Sequence, residues 1–260
     1  DYGLGTSDNP TFPGMYAWSL LSTGASLQAM ELVDSGEVEC AFNIAGGLHH
    51  AAAARAAGFC YFNDAAIVIK HLLRRGRRVA YVDIDAHHGD GVQFGFYETD
   101  EVLTISIHES GETLFPGTGF AEEIGRGRGI GHAVNVPLLA GSDDEVFLWA
   151  LDQVVPPLLA AFNPDVVVTQ LGADTHRTDP LTNLAMTTTG FAEAVRRLQP
   201  LCRRWIALGG GGYNLENVPR SWTLAWATMN AREVPDEMPG SFLTAFQRLG
   251  FRATRLRDDP

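Results

Sequence analysis

The stretch Val79-Ala80-Tyr81-Val82-Asp83-Ile84-Asp85-Ala86-His87-His88-Gly89-Asp90 changes character partway along. Its first four residues are β-branched, small or aromatic, as in a strand buried on both faces. The rest is rich in carboxylates and imidazoles, which a strand core does not tolerate unpaired. An apolar run that turns polar at its end marks a buried parallel strand opening on a binding crevice. The same switch recurs three times. Val166-Val167-Val168 runs into Thr169-Gln170-Leu171-Gly172-Ala173-Asp174. Ala41-Phe42-Asn43-Ile44 runs into Ala45-Gly46-Gly47-Leu48-His49-His50, and Trp205-Ile206-Ala207-Leu208 into Gly209-Gly210-Gly211-Gly212-Tyr213.

Working outward, strands are predicted over 41–45, 79–84, 102–107, 133–136, 166–171 and 205–208. Helical stretches lie between them at 14–33, 63–75, 143–162 and 189–203. Asn63-Asp64 and Ser142-Asp143 supply caps, and Pro156-Pro157 is predicted to kink or break the third helix. Strands alternating with helices indicate an α/β class. The expected architecture is a single three-layer domain over 1–260, with a mostly parallel sheet and helices on both faces. Residues 125–131, Gly-Arg-Gly-Arg-Gly-Ile-Gly, read as a flexible loop, and the tail from Ala231 as a less regular segment wrapping the surface.

Composition narrows the function. With 260 residues, 45% of them hydrophobic, a substantial core is available and wholesale disorder is excluded. Mean hydropathy is -0.02, and no apolar run approaches the roughly 20 residues of a membrane span. A net charge of -12 argues against a nucleic-acid backbone as partner and suits a cationic one. Three scattered cysteines, Cys40, Cys60 and Cys202, are too few for a disulfide framework or a cysteine zinc site. With no signal peptide visible after Asp1, a reduced cytoplasmic setting is expected.

Asp83, Asp85 and His87 are spaced by two, so an extended chain projects them to one side. Asp85 and His87 could share a cation that Asp174 completes; three protein ligands with an open position describe a catalytic zinc site. An isolated Asp-x-His more often caps a turn, but the run around it shifts the balance to a metal. His49-His50 follows a double glycine at a strand end, with Asp83 and Asp90 as candidate orienters of the rings. Tyr213 offers a phenol to a developing oxyanion. The glycines before it lack the Gly-x-Gly-x-x-Gly spacing and the Lys-Ser/Thr of phosphate loops. Phe59 and Phe115, each beside glycine, could wall an apolar channel. Cys60 near the histidines raises the question of a thiol nucleophile, but its apolar surroundings favour an inert buried thiol.

These segments, with Gly58-Phe59-Cys60-Tyr61-Phe62-Asn63-Asp64 and Phe115-Pro116-Gly117-Thr118-Gly119, together resemble the histone deacetylase superfamily, of arginase–deacetylase fold. Tyr2-Gly3-Leu4-Gly5-Thr6, 9–15 and Asp179-Pro180-Leu181-Thr182 resemble its bacterial acetoin-utilisation deacetylases more specifically. The resemblance implies zinc-dependent hydrolysis of N6-acetyl-lysine to lysine and acetate, with ferrous iron as an alternative metal in the cell. It implies Asp85, His87 and Asp174 as metal ligands, and His49 and His50 as the proton-handling pair on Asp83 and Asp90. His50 is the principal base and then acid, and Tyr213 the oxyanion donor. Gly58, Phe59, Phe115, Leu181 and Gly211 line the acetyl-lysine tunnel. One implied potassium site uses Asp83, Asp85, His87, Ser106 and Ile107; a second uses Phe96, Thr99 and Val102.

Measured against the family, the chain begins inside the pattern. An early strand and rim loops with substrate-gripping residues are expected in the part before Asp1. Leu48 replaces an aromatic of many eukaryotic members. His176-Arg177-Thr178 is unlike the small apolar stretch of histone deacetylases and points away from a histone tail as substrate. An acetylated protein or a small acetylated amine is the expected partner. The competing readings are an acetylpolyamine amidohydrolase, a truncated acyl-lysine binding module, and a two-manganese ureohydrolase. The last lacks enough ligands.

Overall fold

In the computed structural model, which describes residues 2–258, six strands form one sheet in the order β1-β6-β5-β2-β3-β4, every neighbour parallel. Residues 1, 259 and 260 of the expected 1–260 domain lie outside the described residues. The strands are β1 (Cys40–Asn43), β2 (Val79–Asp83), β3 (Val102–Glu109), β4 (Ala133–Leu138), β5 (Val166–Gln170) and β6 (Trp205–Leu208). The inner four are buried at every residue; β2, β5 and β6 accordingly open on apolar runs, while β3 interleaves buried Thr104, Ser106 and His108 with its apolar residues.

Helices cover both faces. On one, α1 (Met15–Asp34), α2 (Asp64–Arg74) and α3 (Asp90–Gly95) bury Met30, Val33, Ile69, Leu72 and Val92 against Tyr81, Val168 and Ile206. On the other, α4 (Asp144–Phe162), α5 (Thr188–Leu198) and α6 (Asn217–Met229) bury Phe147, Leu151, Val155, Phe191, Val195 and Ala225 against Ile105, Val167 and Ala207. A last helix, α7 (Gly240–Arg248), lies in the tail.

Several expectations shift. α4 runs unbroken through Pro156-Pro157. The prolines leave the carbonyls of Asp152 and Gln153 without intrahelical donors, but those residues are exposed and water can serve them. α4 is also long and apolar enough, by length and composition alone, to cross a membrane; here its apolar stripe is a core face. α5 stops at Leu198, not 203, because Pro200 follows in a 3-10 turn. β1 ends at Asn43, whose side-chain oxygen accepts from the Ala45 N–H and starts a turn. Residues 125–131 form a tied 3-10 turn rather than a loose loop: Arg126 N–H donates to Tyr97 O at 2.8 Å. The tail holds α7, which the irregular reading missed.

Both predicted caps form, with Asn63 accepting from Ala66 N–H at 2.9 Å and Asp143 from Glu145 and Val146 N–H. Register places Asn43, Leu208, Gln170, Asp83, Ser106 and Asn135 in one row across the sheet. The polar strand ends therefore emerge level. From the β2–β5 neighbours the chain runs outward through β3 to β4 on one side and to β6 on the other, with β1 added beyond β6; open α/β sheets bind ligands at such a switch point.

Candidate active site

β2 and β5 deliver the central groups. Asp85, His87 and Asp174 are buried with their ligand atoms within 4.8 Å of one another. His87 Nδ1 faces Asp85 Oδ1 at 3.1 Å and Asp174 Oδ2 at 2.9 Å. Backbone N–H groups fix the carboxylates: His87 N donates to Asp85 Oδ1, Ala86 N to Asp174 Oδ1, and Gly211 N to Asp85 Oδ2. Gln170 Nε2 donates to Asp85 Oδ2 at 2.7 Å and to Gly47 O.

Burial opposes charge on His87, but Asp174 and Asp85 outweigh it and push the ring up to about 11. Burial would raise Asp85, but the charges of His49 and His87 hold it well below the ordinary carboxylate range. Burial and the Asp85 charge push Asp174 up to about 7. Two dry carboxylates turned on one point call for a cation between them. The residues fit a divalent metal: one imidazole and two oxygen ligands, with an open side. A Cβ at Gly211 would stand 2.0 Å from Asp174 Oδ2, so only glycine fits there.

The histidine pair sits beside the triad. Asp64, fully buried at the start of α2, accepts from Gly47 and Leu48 N–H and so shapes the turn that presents both rings. His49 Nδ1 lies 2.8 Å from Asp83 Oδ2, and His50 Nδ1 2.7 Å from Asp90 Oδ1. Their Nε2 atoms are 3.1 Å apart. Burial works against charge on His49, but Asp83 and Asp85 raise it to about 9; burial and the His49 charge lower His50 to about 4. These opposite shifts make His49 the member of the pair that favours charge and His50 the one that favours the neutral form. Tyr81 Oη also donates to Asp83 Oδ2 at 2.7 Å.

Above them opens a cavity of about 220 Å³. Buried His50 and His87 form its floor with Tyr213, and half-exposed Phe59 and Phe115 form its mouth. The Phe115 ring centroid is 4.9 Å from that of His50, and Phe59 is 5.6 Å from Tyr213. Gly58 takes φ +52°, and a Cβ there would lie 2.4 Å from His50 Cδ2. Burial pushes the Tyr213 phenol well above its ordinary value, keeping it a donor. Cys60 is buried and pushed up likewise, an inert thiol.

Leu181 lines the cavity; Gly211 is not among its lining residues, and its N–H donates to Asp85 Oδ2. Asp83 and Ser106 face each other in register; Phe96, Thr99 and Val102 lie on the turn from α3 into β3. His176 does not line the cavity; its ring bonds to Thr178, Asn217 and Asp258, so its divergence fastens the tail. Sequence reasoning assigned no role to Gln170, Leu114 or Asp8, and read Asp64 only as part of a helix cap. Asp8 lines the mouth although a gripping residue was expected only before Asp1. Gln170 carried a signal, a lone amide ending a β-branched run.

A parallel α/β sheet with an imidazole and two carboxylates converged at its switch point defines a metal-site domain. Residues 2–229 match the Histone deacetylase domain, and the chain belongs to that family, whose members depend on a metal. It is 44% identical over 254 residues to the acetoin utilization protein AcuC of Bacillus subtilis, covering 95% of this chain and 66% of that protein. It is 42% identical to human histone deacetylase 1 over 232 residues, 89% of this chain and 48% of that one. The chain thus spans about half to two thirds of these relatives. Among solved structures it resembles a histone deacetylase homologue from Aquifex aeolicus, with TM-score 0.90 and 40% identity over 94% of this chain and 66% of that one. A homologue complexed with SAHA has TM-score 0.91 and 38% identity, over 98% and 72%.

Proposed function

We propose that the chain is a zinc-dependent deacetylase that hydrolyses the acetyl amide of N6-acetyl-lysine in proteins, giving lysine and acetate. The observation that carries this is a single cavity on which a metal-ready triad, a histidine pair on carboxylates and a buried phenol converge. Zinc held by Asp85, His87 and Asp174 would supply Lewis-acid polarisation of the acetyl carbonyl and acidify water. The lysine stem threads between Phe59 and Phe115, which both line the cavity. Tyr213 donates to the acetyl oxygen as negative charge develops there. His50, neutral and held by Asp90, takes the proton of the attacking water at Nε2 and returns it to the departing lysine nitrogen. His49, charged against Asp83, stabilises the carboxylates around it. Ferrous iron is the alternative metal, and potassium is proposed at Asp83, Asp85, His87, Ser106 and Ile107, where it would keep those carboxylates ionised. The cytoplasm is the proposed compartment, supported by the free thiols of Cys40, Cys60 and Cys202.

A specific observation favours a second substrate. Asp8 at the mouth, in a chain of net charge -12, suits an acetylpolyamine's remaining ammonium groups. The test is turnover of an acetyl-lysine peptide and of acetylspermidine by the purified chain, with metal content measured and a chelator control. Chelator-sensitive release of acetate with about one zinc per chain supports the proposal. Bound metal without turnover of either substrate would sink it in favour of a binding module.

A further inference from the structure

The stretch His176-Arg177-Thr178 serves neither the triad nor the tunnel, yet His176 is 5% exposed and fully engaged. Its Nδ1 accepts from Asn217 Nδ2 at 2.8 Å and from Thr178 N–H at 3.2 Å. Its Nε2–H therefore donates to Asp258 Oδ2, 2.7 Å away in the tail. Asp258 also accepts from Thr188 N–H at 2.9 Å and from Arg220 at 2.6 Å, and its own N–H donates to Thr188 Oγ1 at 2.9 Å. The last described residue of the chain is thus a hub joining the β5 loop to the starts of α5 and α6.

From that hub bonds lead to the Asn214 side chain and the Tyr213 backbone. Arg220 donates to Asn217 Oδ1 at 2.9 Å, and Asn217 donates to Thr178 Oγ1 at 2.6 Å. Asn214 Nδ2 donates to the same hydroxyl at 2.9 Å, and Tyr213 N–H donates to Asp179 Oδ2 at 2.8 Å. The β5 loop thereby holds the two residues that follow the glycine run. The run itself is tied at Gly209, whose N–H donates to Asn43 O, and at Gly211, whose N–H donates to Asp85 Oδ2 and whose carbonyl accepts from Ala173 N–H. Gly210 and Gly212, at φ +151° and +147°, add conformational freedom that the bonds to Tyr213 and Asn214 restrain.

We propose that Asp258 is a positioning residue for Tyr213: the C-terminal tail latches the β5 loop, and that loop pins the glycine-rich segment so that the phenol stays over the cavity floor. The inference rests on the deacetylase reading only for its kinetic consequence. A 1 Å displacement of a catalytic donor can cost about 100-fold, and partial loosening is expected to cost about a tenth of that. In Asp258→Ala, kcat on an acetyl-lysine peptide is expected to fall about tenfold with KM within twofold. In a Tyr213→Phe background the same substitution is expected to cost nothing further, because it acts through the phenol.

Hydrogen exchange of residues 209–215, read by mass spectrometry, gives a second readout independent of activity. It should quicken about fivefold in Asp258→Ala while the β2 and β5 strands keep wild-type protection. Equal losses of kcat in the wild-type and Tyr213→Phe backgrounds, or unchanged exchange in 209–215, would overturn the latch. Quickened exchange in a chain whose wild type has no turnover would support the latch and overturn the deacetylase reading instead. If Asp258→Ala does not fold, Asp258→Asn, which keeps the side-chain shape but loses the charge, is read by the same two measurements.

Discussion

Gly58 shows how closely single residues are set around the cavity. Its φ of +52° and the 2.4 Å separation between a built Cβ and His50 Cδ2 leave no room for a side chain. Gly58→Ala must strain the backbone or displace the His50 ring, so kcat/KM on an acetyl-lysine peptide is expected to fall by roughly tenfold or more. Stability should drop by about 1–3 kcal/mol in urea titration; wild-type values of both would show that the wall has slack. Tyr213→Phe removes the one phenol on the cavity floor. It should lower kcat by about 100- to 1,000-fold and leave KM nearly unchanged, the signature of an interaction made chiefly in the transition state. Undiminished kcat would take Tyr213 out of the mechanism. Asp85, His87, Asp174, His49, His50 and Tyr213 were singled out in the sequence because each stands in the short polar or glycine-rich stretch that follows an apolar run. Gln170 was not, since its role depends on Asp85 arriving from the neighbouring strand.

At the level of elements, the six strands were legible to within two or three residues, because burial on both faces leaves a largely apolar run. The helices were less so. Pro156-Pro157 signalled a break that did not occur, since α4 keeps its apolar stripe of Phe147, Leu151, Val155 and Leu159 on the face opposite exposed Pro157. Tertiary burial of that stripe outweighs the lost hydrogen bonds. Phe147 is fully buried in it, so Phe147→Ala should cost about 3–5 kcal/mol by urea titration. A loss under 1 kcal/mol would mean that α4 is held by something other than its core contacts. The short α3 escaped notice because six residues do not establish a helical period.

Across the whole molecule, the tail is tied to the body by Arg220, which donates to Arg255 O, by the Arg252 and Ala253 N–H groups, which donate to Glu216, and by the half-buried carboxylate of Asp258. Burial alone would raise Asp258, but the His176 ring, the Thr188 N–H and the Arg220 guanidinium outweigh it and hold the group well below its ordinary range. An acid depressed in the fold stabilises it above the unfolded pKa, near ~3.9, and loses that contribution as pH falls through the folded value. The stability difference between wild type and Asp258→Asn is therefore expected in full at pH 6 and to shrink below about pH 4. Urea midpoints at pH 6, 4 and 3 measure it, and a difference that stays constant to pH 3 would show that the carboxylate's charge plays no part.

Strand order and the partner of each strand could not be read along the chain, because they depend on which strands pair. A run of valines states that a strand is buried, but not that β5 lies beside β2 while β1 lies at the far edge. That pairing brings Asp174 within reach of Asp85 and His87, 87 residues apart in the case of His87 and Asp174. The tail's partners were hidden for the same reason: Asp258 looks like any terminal carboxylate until the fold places His176, Thr188 and Arg220 around it. Local chemistry, by contrast, was written in the residues. The types that bind a cation, move a proton or donate to an oxyanion are set by their side chains, and their place at strand ends follows from the need to keep polar groups out of the apolar sheet.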